Sequence, residues 1–257
     1  MQIILLTVPD DIHELKIPSR FQTGVKLVHQ FEIIDSLATE LILDFDASKS
    51  IVKAGNSGQY LLKPTIKVID TMDLAVVIGI VTDDADPAND LEGGMVTAQT
   101  YNDSAPDEKD EVVVHSSTFT DEGGNYKMYL EPGTYNIVAY KEGYDPACTT
   151  IEAQSVTSNG HDFALSAAAS TININGTVTI DDSDPDQHVT ISFRKEGVCG
   201  GDELVELASF NVAHGGTYSI NLPAGTYRVV ASSEGRATQG FDVDTDKTLD
   251  IKFPAET

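Results

Sequence analysis

The chain has 257 residues, 41 acidic and 16 basic, for a formal charge of −25 at neutral pH. That charge repels phosphate backbones and anionic lipid headgroups, so neither nucleic acid nor an anionic membrane surface is an expected partner. No apolar run approaches the roughly 18 to 20 residues of a transmembrane helix, and the length suits two or three small domains.

Residues 1 to 70 open with MQIILLTVPDD, too short and too poor in basic residues for a signal peptide, so an export signal is expected upstream of Met1. Strand alternation runs through Phe31 and Ile33, then Leu41, Leu43 and Phe45, then Tyr60, Leu62, Ile66 and Val68, with turn residues from Gly55 to Gly58. The pieces IPSRFQTGVKL, LDFDASKSI and YLLKPTIKVI together resemble the C-terminal half of an uncharacterised prokaryotic cell-surface lipoprotein domain, a β-sandwich with the pattern PSG-x-QTGLKL, DFDA-x-KS and YLLKP. Arg20 stands where that pattern has Gly, and the family's first half is absent. Asp44 and Asp46 share one face of a strand near Lys49, where paired carboxylates could hold a cation or share a proton; a solvated strand end is the expected reading.

Beyond residue 70 the chain repeats itself. GNYKMYLEPGTYNIVAYKEG, from Gly124 to Gly143, returns as GTYSINLPAGTYRVVASSEG, from Gly216 to Gly235, at a constant offset of 92 and with ten of twenty positions identical. Each copy reads as a hairpin: Tyr126, Met128 and Leu130 alternate with polar residues, a Pro/Gly corner follows, and Tyr135, Ile137 and Ala139 resume. Gly133 and Gly225 are expected at positive φ, and the tyrosine after each corner supplies an apolar body for the core and a hydroxyl to fasten the loop.

This pattern resembles the carboxypeptidase regulatory-like domain, a transthyretin-like β-sandwich with G-x-V, D-x-x-G-x-Y, L-x-P-G-x-Y and G-Y motifs. The first copy supplies Gly79, Val81, Asp121, Gly124, Tyr126, Leu130, Pro132, Gly133, Tyr135, Gly143 and Tyr144. The second supplies Gly176, Val178, Gly216, Tyr218, Leu222, Gly225, Tyr227 and Gly235, but has Ala213 for the Asp and Arg236 for the last Tyr. The resemblance implies an accessory β-sandwich and no catalytic role; the zinc ligands of a carboxypeptidase belong to a domain absent from this sequence.

Each repeat opens with an acidic loop. Asp83, Asp84, Asp86 and Asp90 in the first, and Asp181, Asp182, Asp184 and Asp186 in the second, are the raw material of a Ca²⁺ site, although their spacing is not that of an EF-hand. A generally acidic, salt-adapted surface is the main expectation and Ca²⁺, the one candidate cofactor, the alternative. YNDSAPDEKDE, from Tyr101 to Glu111, reads as an exposed loop, and SAAAS, from Ser166 to Ser170, as a short linker that limits hinge freedom. Asn102-Asp103-Ser104 and Asn175-Gly176-Thr177 match the N-glycosylation triplet, a pattern also common by chance. Cys148 and Cys199 sit at different places in the two copies; a bridge between the repeats is one reading, and two free, buried thiols the default. Histidines 13, 29, 115, 161, 188 and 214 are scattered, and no nucleophile is accompanied by a base and an orienting partner.

The sequence therefore predicts an all-β chain of three consecutive β-sandwich modules, Ig-like or transthyretin-like, over residues 1–70, 71–166 and 167–257, the first incomplete. The expected function is that of a non-enzymatic, extracellular or cell-surface structural subunit, built as a rod, forming homo-oligomers or filaments by β-strand addition. Residues 1 to 70 are expected to be completed by a neighbouring copy or an upstream fragment, with Leu249, Ile251 and Phe253 as the donated strand. The alternative is a surface binding module presenting loops such as Glu92 to Asp110 to a glycan or a protein.

Overall fold

In the computed structural model the chain divides into two compact units, Met1–Asp73 and Leu74–Thr257. Described are six strands of the first unit, by their backbone, and residues 74–255 of the second apart from 88, 156–157 and 182–186. Strands dominate both units, and among the described residues the one helical turn is a 3-10 turn at Glu108–Asp110.

The first unit contains β1 (Ile4–Val8), β2 (Asp11–Lys16), β3 (Leu41–Phe45), β4 (Ile51–Lys53), β5 (Tyr60–Leu62) and β6 (Ile66–Asp70). Four of them form a sheet in the order β1-β2-β5-β4, while β3 and β6 make an antiparallel pair. In that pair Asp44 stands opposite Lys67 in the backbone register. Asp46 and Lys49, and the strand expected through Phe31 and Ile33, lie outside the described residues.

The second unit shows what the repeat means in three dimensions. Its first half runs through β7 (Ala75–Asp83), β8 (Met95–Tyr101), β9 (Val112–Phe119), β10 (Asn125–Leu130), β11 (Gly133–Tyr140), β12 (Ala147–Ala153), β13 (Ser158–Gly160) and β14 (Phe163–Leu165). The second half repeats the series as β15 (Thr171–Ile180), β16 (His188–Glu196), β17 (Leu204–Ala213), β18 (Thr217–Pro223), β19 (Tyr227–Ser232), β20 (Gln239–Val243), β21 (Lys247–Thr248) and β22 (Ile251–Phe253). One sheet of each sandwich follows the order β10-β7-β13 or β18-β15-β21, with β14 or β22 continuing beside the central strand. The other follows β12-β11-β8-β9 or β20-β19-β16-β17. Alternation sends Val77, Val81, Tyr126, Met128, Ile137 and Phe163 into one core, and Ile174, Val178, Tyr218, Ile191, Phe193 and Phe253 into the other.

The motif residues have local physical reasons. Gly79 and Gly176 lie opposite Tyr126 and Tyr218 across antiparallel ladders. A Cβ at either glycine would overlap a carbonyl oxygen, that of His161 or of Leu249. Those same oxygens accept the tyrosine hydroxyls, from Tyr126 at 2.6 Å and from Tyr218 at 2.5 Å. The next residue seals the break between the two short parallel strands: Asp162 accepts from Ile80 N and Asp250 from Thr177 N, both at 2.9 Å. Glycine is needed here for close approach of backbone to backbone, and the tyrosine satisfies the carbonyl that this approach buries.

At the Pro/Gly corners each tyrosine reaches back four residues, Tyr135 to Glu131 O at 3.1 Å and Tyr227 to Pro223 O at 2.7 Å, as the repeat predicts. Only one corner glycine takes the expected positive φ: Gly225 has φ 150°, whereas Gly133 does not, and a Cβ added at Gly133 would meet the Tyr135 ring at 3.3 Å. The Asp121 carboxylate accepts from Gly123 N at 3.0 Å and Asn125 N at 2.8 Å, which explains the Asp of its motif. Ala213 lacks that carboxylate but keeps the backbone turn, Gly216 N to Ala213 O at 2.9 Å.

The assignment of Leu249, Ile251 and Phe253 as a donated strand is corrected by the fold. Ile251–Phe253 pairs in parallel with Val178–Ile180 of its own sandwich, and the three side chains are 7%, 1% and 1% exposed within its core. Withdrawing them to fill a neighbour's groove would empty the groove they already fill, at about 2 kcal/mol or more per side chain.

Candidate functional site

The most constructed polar site in the described residues is the seam between the two sandwiches, where the outer faces of β8 and β11 meet the loop and strand after β16, and the outer faces of β16 and β19 meet the loop after β8. Ladder register shows which residues correspond. Val96 pairs with Ala139 as Ile191 pairs with Ala231, so Thr97 and Gln99 of the first copy correspond to Ser192 and Arg194 of the second. All four are buried polar residues on outer faces, and a register shift interrupts each neighbouring ladder at the same place.

Gln99, 1% exposed, acts as a surrogate strand partner. Its Nε2 donates to Glu206 O at 2.7 Å and its Oε1 accepts from Glu206 N at 2.8 Å, satisfying two backbone groups on the free edge of β17. Arg194, 2% exposed, answers from the other side: Nη1 donates to Glu108 O at 2.6 Å, Nη2 to Lys109 O at 2.9 Å, and Nε to Ser192 Oγ at 3.0 Å. Burial pulls the pKa of Arg194 down, opposed by the surrounding carboxylates led by Glu206.

A second reciprocal pair flanks the first. Asn136 donates to Glu203 Oε2 at 2.7 Å and accepts from its cross-strand partner Thr150 at 2.7 Å. Its counterpart Arg228 engages Glu108 through both Nε and Nη2, and pairs with its own cross-strand partner Asp242 at 2.9 Å. These hydrogen bonds to carboxylates hold the Arg228 guanidinium well above its ordinary pKa. The relation is that of an approximate two-fold axis: a face residue of each copy grips the loop of the other.

Cys148 and Cys199 complete the seam. They form a disulfide with a Cα separation of 4.9 Å, which corrects the expectation of free thiols. By register Cys148 corresponds to Gly240, and a Cβ at Gly240 would overlap both Arg228 and Glu108. One end of the seam is therefore closed covalently and the other by an ion pair packed over a glycine. Val138 and Tyr140 of β11 add apolar contact with the second core, and Tyr140 donates to Asn221 O at 3.2 Å.

The segment Tyr101 to Glu111, expected as an exposed loop, is half committed to this seam. Its 3-10 turn is capped by Asp107, which accepts from Lys109 N, and carries Glu108 onto Arg228 and the turn carbonyls onto Arg194. The hydrogen bond from the Lys109 side chain, Nζ to Asp107 Oδ2 at 2.5 Å, is the largest influence that pulls the Asp107 carboxyl down to about 2. Sequence reading missed the turn because its composition is that of a solvated loop.

The acidic loops are placed as follows. Asp83 accepts from Ala85 N at 2.8 Å and from the Tyr144 hydroxyl at 3.0 Å, bonds that lower its pKa, the Ala85 amide being the larger influence. Asp84 accepts from Ser166 Oγ at 3.2 Å, Asp90 bridges to Thr82, and Asp86 accepts from Asn89 N through its backbone. Asp181 pairs with Lys252 at 3.0 Å, and its carbonyl accepts from Arg236. Arg236 thus anchors the start of the second acidic loop as Tyr144 anchors the first, which accounts for the exchange of Tyr for Arg. Asp182, Asp184 and Asp186 lie outside the described residues. Among the described residues no three His, Cys, Asp or Glu side chains come together as a metal-binding group.

Nor do the described histidines assemble a catalytic set. His115 contacts Thr100 Oγ1 at 2.9 Å and the edge of Tyr135, and His214 Nδ1 accepts from Ile180 N at 3.0 Å. No helix among the described residues is long and apolar enough to cross a membrane.

Residues 1–64 match the family described as a domain of unknown function, DUF4382. This is the stretch whose motifs resemble an uncharacterised surface-lipoprotein domain. No curated protein matches the chain. Among solved structures, similarity is found to the Bacillus anthracis TIE protein, at 15% identity and TM-score 0.30, over 80% of this chain and 39% of that one. A streptococcal ancillary pilin follows, at 15% identity and TM-score 0.28, over 86% of this chain and 76% of that one. The 3-chlorocatechol 1,2-dioxygenase of Rhodococcus opacus 1CP is similar at 14% identity and TM-score 0.27, over 37% of this chain and 60% of that one. The chain thus spans about two fifths of the first of these, and all three likenesses are too distant to bear on function.

Proposed function

We propose that the chain is an exported, non-enzymatic structural subunit of the cell surface, whose second unit is a pair of carboxypeptidase regulatory-like sandwiches locked into one body. The observation that carries this reading is the seam: buried polar residues, an ion pair and a disulfide are spent on fixing two sandwiches to each other. A disulfide that joins modules fits an oxidising, extracytoplasmic setting. The acidic surface fits a solvated, salt-exposed one.

In this reading residues 1 to 70 form the assembly end, completed by a strand from an upstream fragment or a neighbouring copy, and the second unit is a rigid spacer. The donor is a segment other than Leu249 to Phe253, since those residues are core. The test is labelling of intact cells with a membrane-impermeant amine reagent, with electron microscopy and thiol counting of the native material. Labelled, oxidised chain in oligomers or filaments is expected. Reduced, unlabelled chain in the cytosol overturns the proposal.

A further inference from the structure

The two acceptor triplets of the sequence sit in opposite environments. Asn175 lies in the middle of β15, half-buried, with both ends of its amide engaged: Nδ2 donates to Asn173 Oδ1 at 2.7 Å and Oδ1 accepts from Thr248 Oγ1 at 3.1 Å. Asn102 follows β8 in an exposed turn. Its backbone is held by Asn102 N to Glu111 O at 2.8 Å and Ala105 N to Asn102 O at 3.2 Å, and its Oδ1 accepts from Ser104 N at 3.1 Å. The Nδ2 of Asn102 has no hydrogen-bond partner among the described residues. Beside it opens a groove of about 350 Å³ lined by Tyr101, Asp103, Asp202 and Glu203, which leaves room next to the amide.

We propose that Asn102 is an N-glycosylation acceptor on the folded chain, and that Asn175 is not. The donor class is a polyprenyl diphosphate-linked oligosaccharide, brought by a transferase that reads Asn-x-Ser/Thr. Asn102 Nδ2 forms a bond to the anomeric carbon as the bond from that carbon to the phosphate oxygen breaks. The polyprenyl diphosphate leaves with the electron pair, and one amide proton passes to a base of the transferase. The turn favours this reaction at Asn102 because it fixes the backbone and Oδ1 while leaving Nδ2 free. At Asn175 the same reaction would require breaking the ladder between β15 and β18 and the Asn173 contact. A glycan at Asn102 would project beside the groove where the first sandwich meets the Asp202-Glu203 loop of the second.

The test incubates the folded, oxidised full chain with a single-subunit oligosaccharyltransferase and a polyprenyl diphosphate oligosaccharide, read by intact mass and peptide mapping. One glycan per chain, at Asn102, is expected. Asn102→Gln and Ser104→Ala each reduce transfer at least tenfold, and Asn175→Gln leaves it unchanged. The denatured chain serves as the positive control for the transferase. No transfer to the folded chain while the denatured chain is modified, or transfer at Asn175 of the folded chain, overturns the proposal.

Discussion

Removing the Cys148–Cys199 disulfide tests whether the seam is a stability element or only a contact. The cysteines are separated by 51 residues, a stretch that contains the linker and the whole of β15 and β16. In the chain-entropy account, closing a loop of that length in the unfolded state contributes about 4 kcal/mol at 25 °C. For a unit of this size each kcal/mol corresponds to about 2 to 4 °C, so a Cys148→Ser/Cys199→Ser chain is expected to melt about 8 to 16 °C lower. The folded state is expected to persist, because Gln99, Asn136, Arg194 and Arg228 still hold the seam. Differential scanning calorimetry and urea titration of the oxidised wild type and the double variant, with intact mass to establish the oxidation state, give the comparison. A change under about 1 kcal/mol in a folded variant would refute the reasoning, since loop closure of this length cannot be that weak unless the unfolded chain is already compact.

Further outcomes follow from the other contacts. Gly79→Ala and Gly176→Ala are each expected to cost about 3 kcal/mol in chemical denaturation, because the added Cβ meets a backbone carbonyl that has nowhere to move; a neutral result at both sites would refute the close-approach account. Arg194→Met is expected to cost about 2 to 3 kcal/mol by leaving two carbonyls unpaired, and Glu108→Ala about 1 to 2 kcal/mol, with the pair less than additive in a double-mutant cycle because both act through one turn. Burial pushes the Tyr140 and Tyr218 hydroxyls up to about 12, and those of Tyr126 and Tyr227 higher still. Their folded pKa values lie above the unfolded value near 10, so their contribution is intact below about pH 10 and is lost as the pH rises through about 12; tyrosinate absorbance that titrates fully near pH 10 without unfolding would contradict this. Calorimetric titration with Ca²⁺ against Mg²⁺ is expected to give equal, weak heats, and a large excess for Ca²⁺ would restore the acidic loops as a specific site.

Much of the second unit is legible in the sequence because its determinants are local. The alternation of Tyr126, Met128 and Leu130, the corner tyrosines and the offset of 92 all report on neighbouring residues, and the strands, cores and hydroxyl contacts follow from them. The seam is not legible in the same way, because Gln99, Arg194 and Arg228 look like ordinary surface residues until two sheets are laid against each other. The cysteines show the difficulty most clearly. Their unequal positions in the two copies argue against pairing if the repeats are compared along the sequence. Under an approximate two-fold relation a face position meets a loop position, so unequal places are what a bridge requires. The C-terminal strand misled for a related reason: Leu249, Ile251 and Phe253 have the alternation of an insertable strand, and nothing local distinguishes a groove in the same sandwich from one in a neighbour.

The two-fold character of the seam also sets how such repeats can be counted. A head-to-tail contact leaves one surface open at each end, so copies can be added singly and without limit. The contact here is mutual: the face that grips and the loop that is gripped are both used up on each sandwich. A third repeat appended to this pair would find no vacant surface of that kind, and would expose its own Gln99-like or Arg194-like side chain to water. Tandems built on this contact therefore lengthen by pairs, and an odd repeat needs a different neighbour.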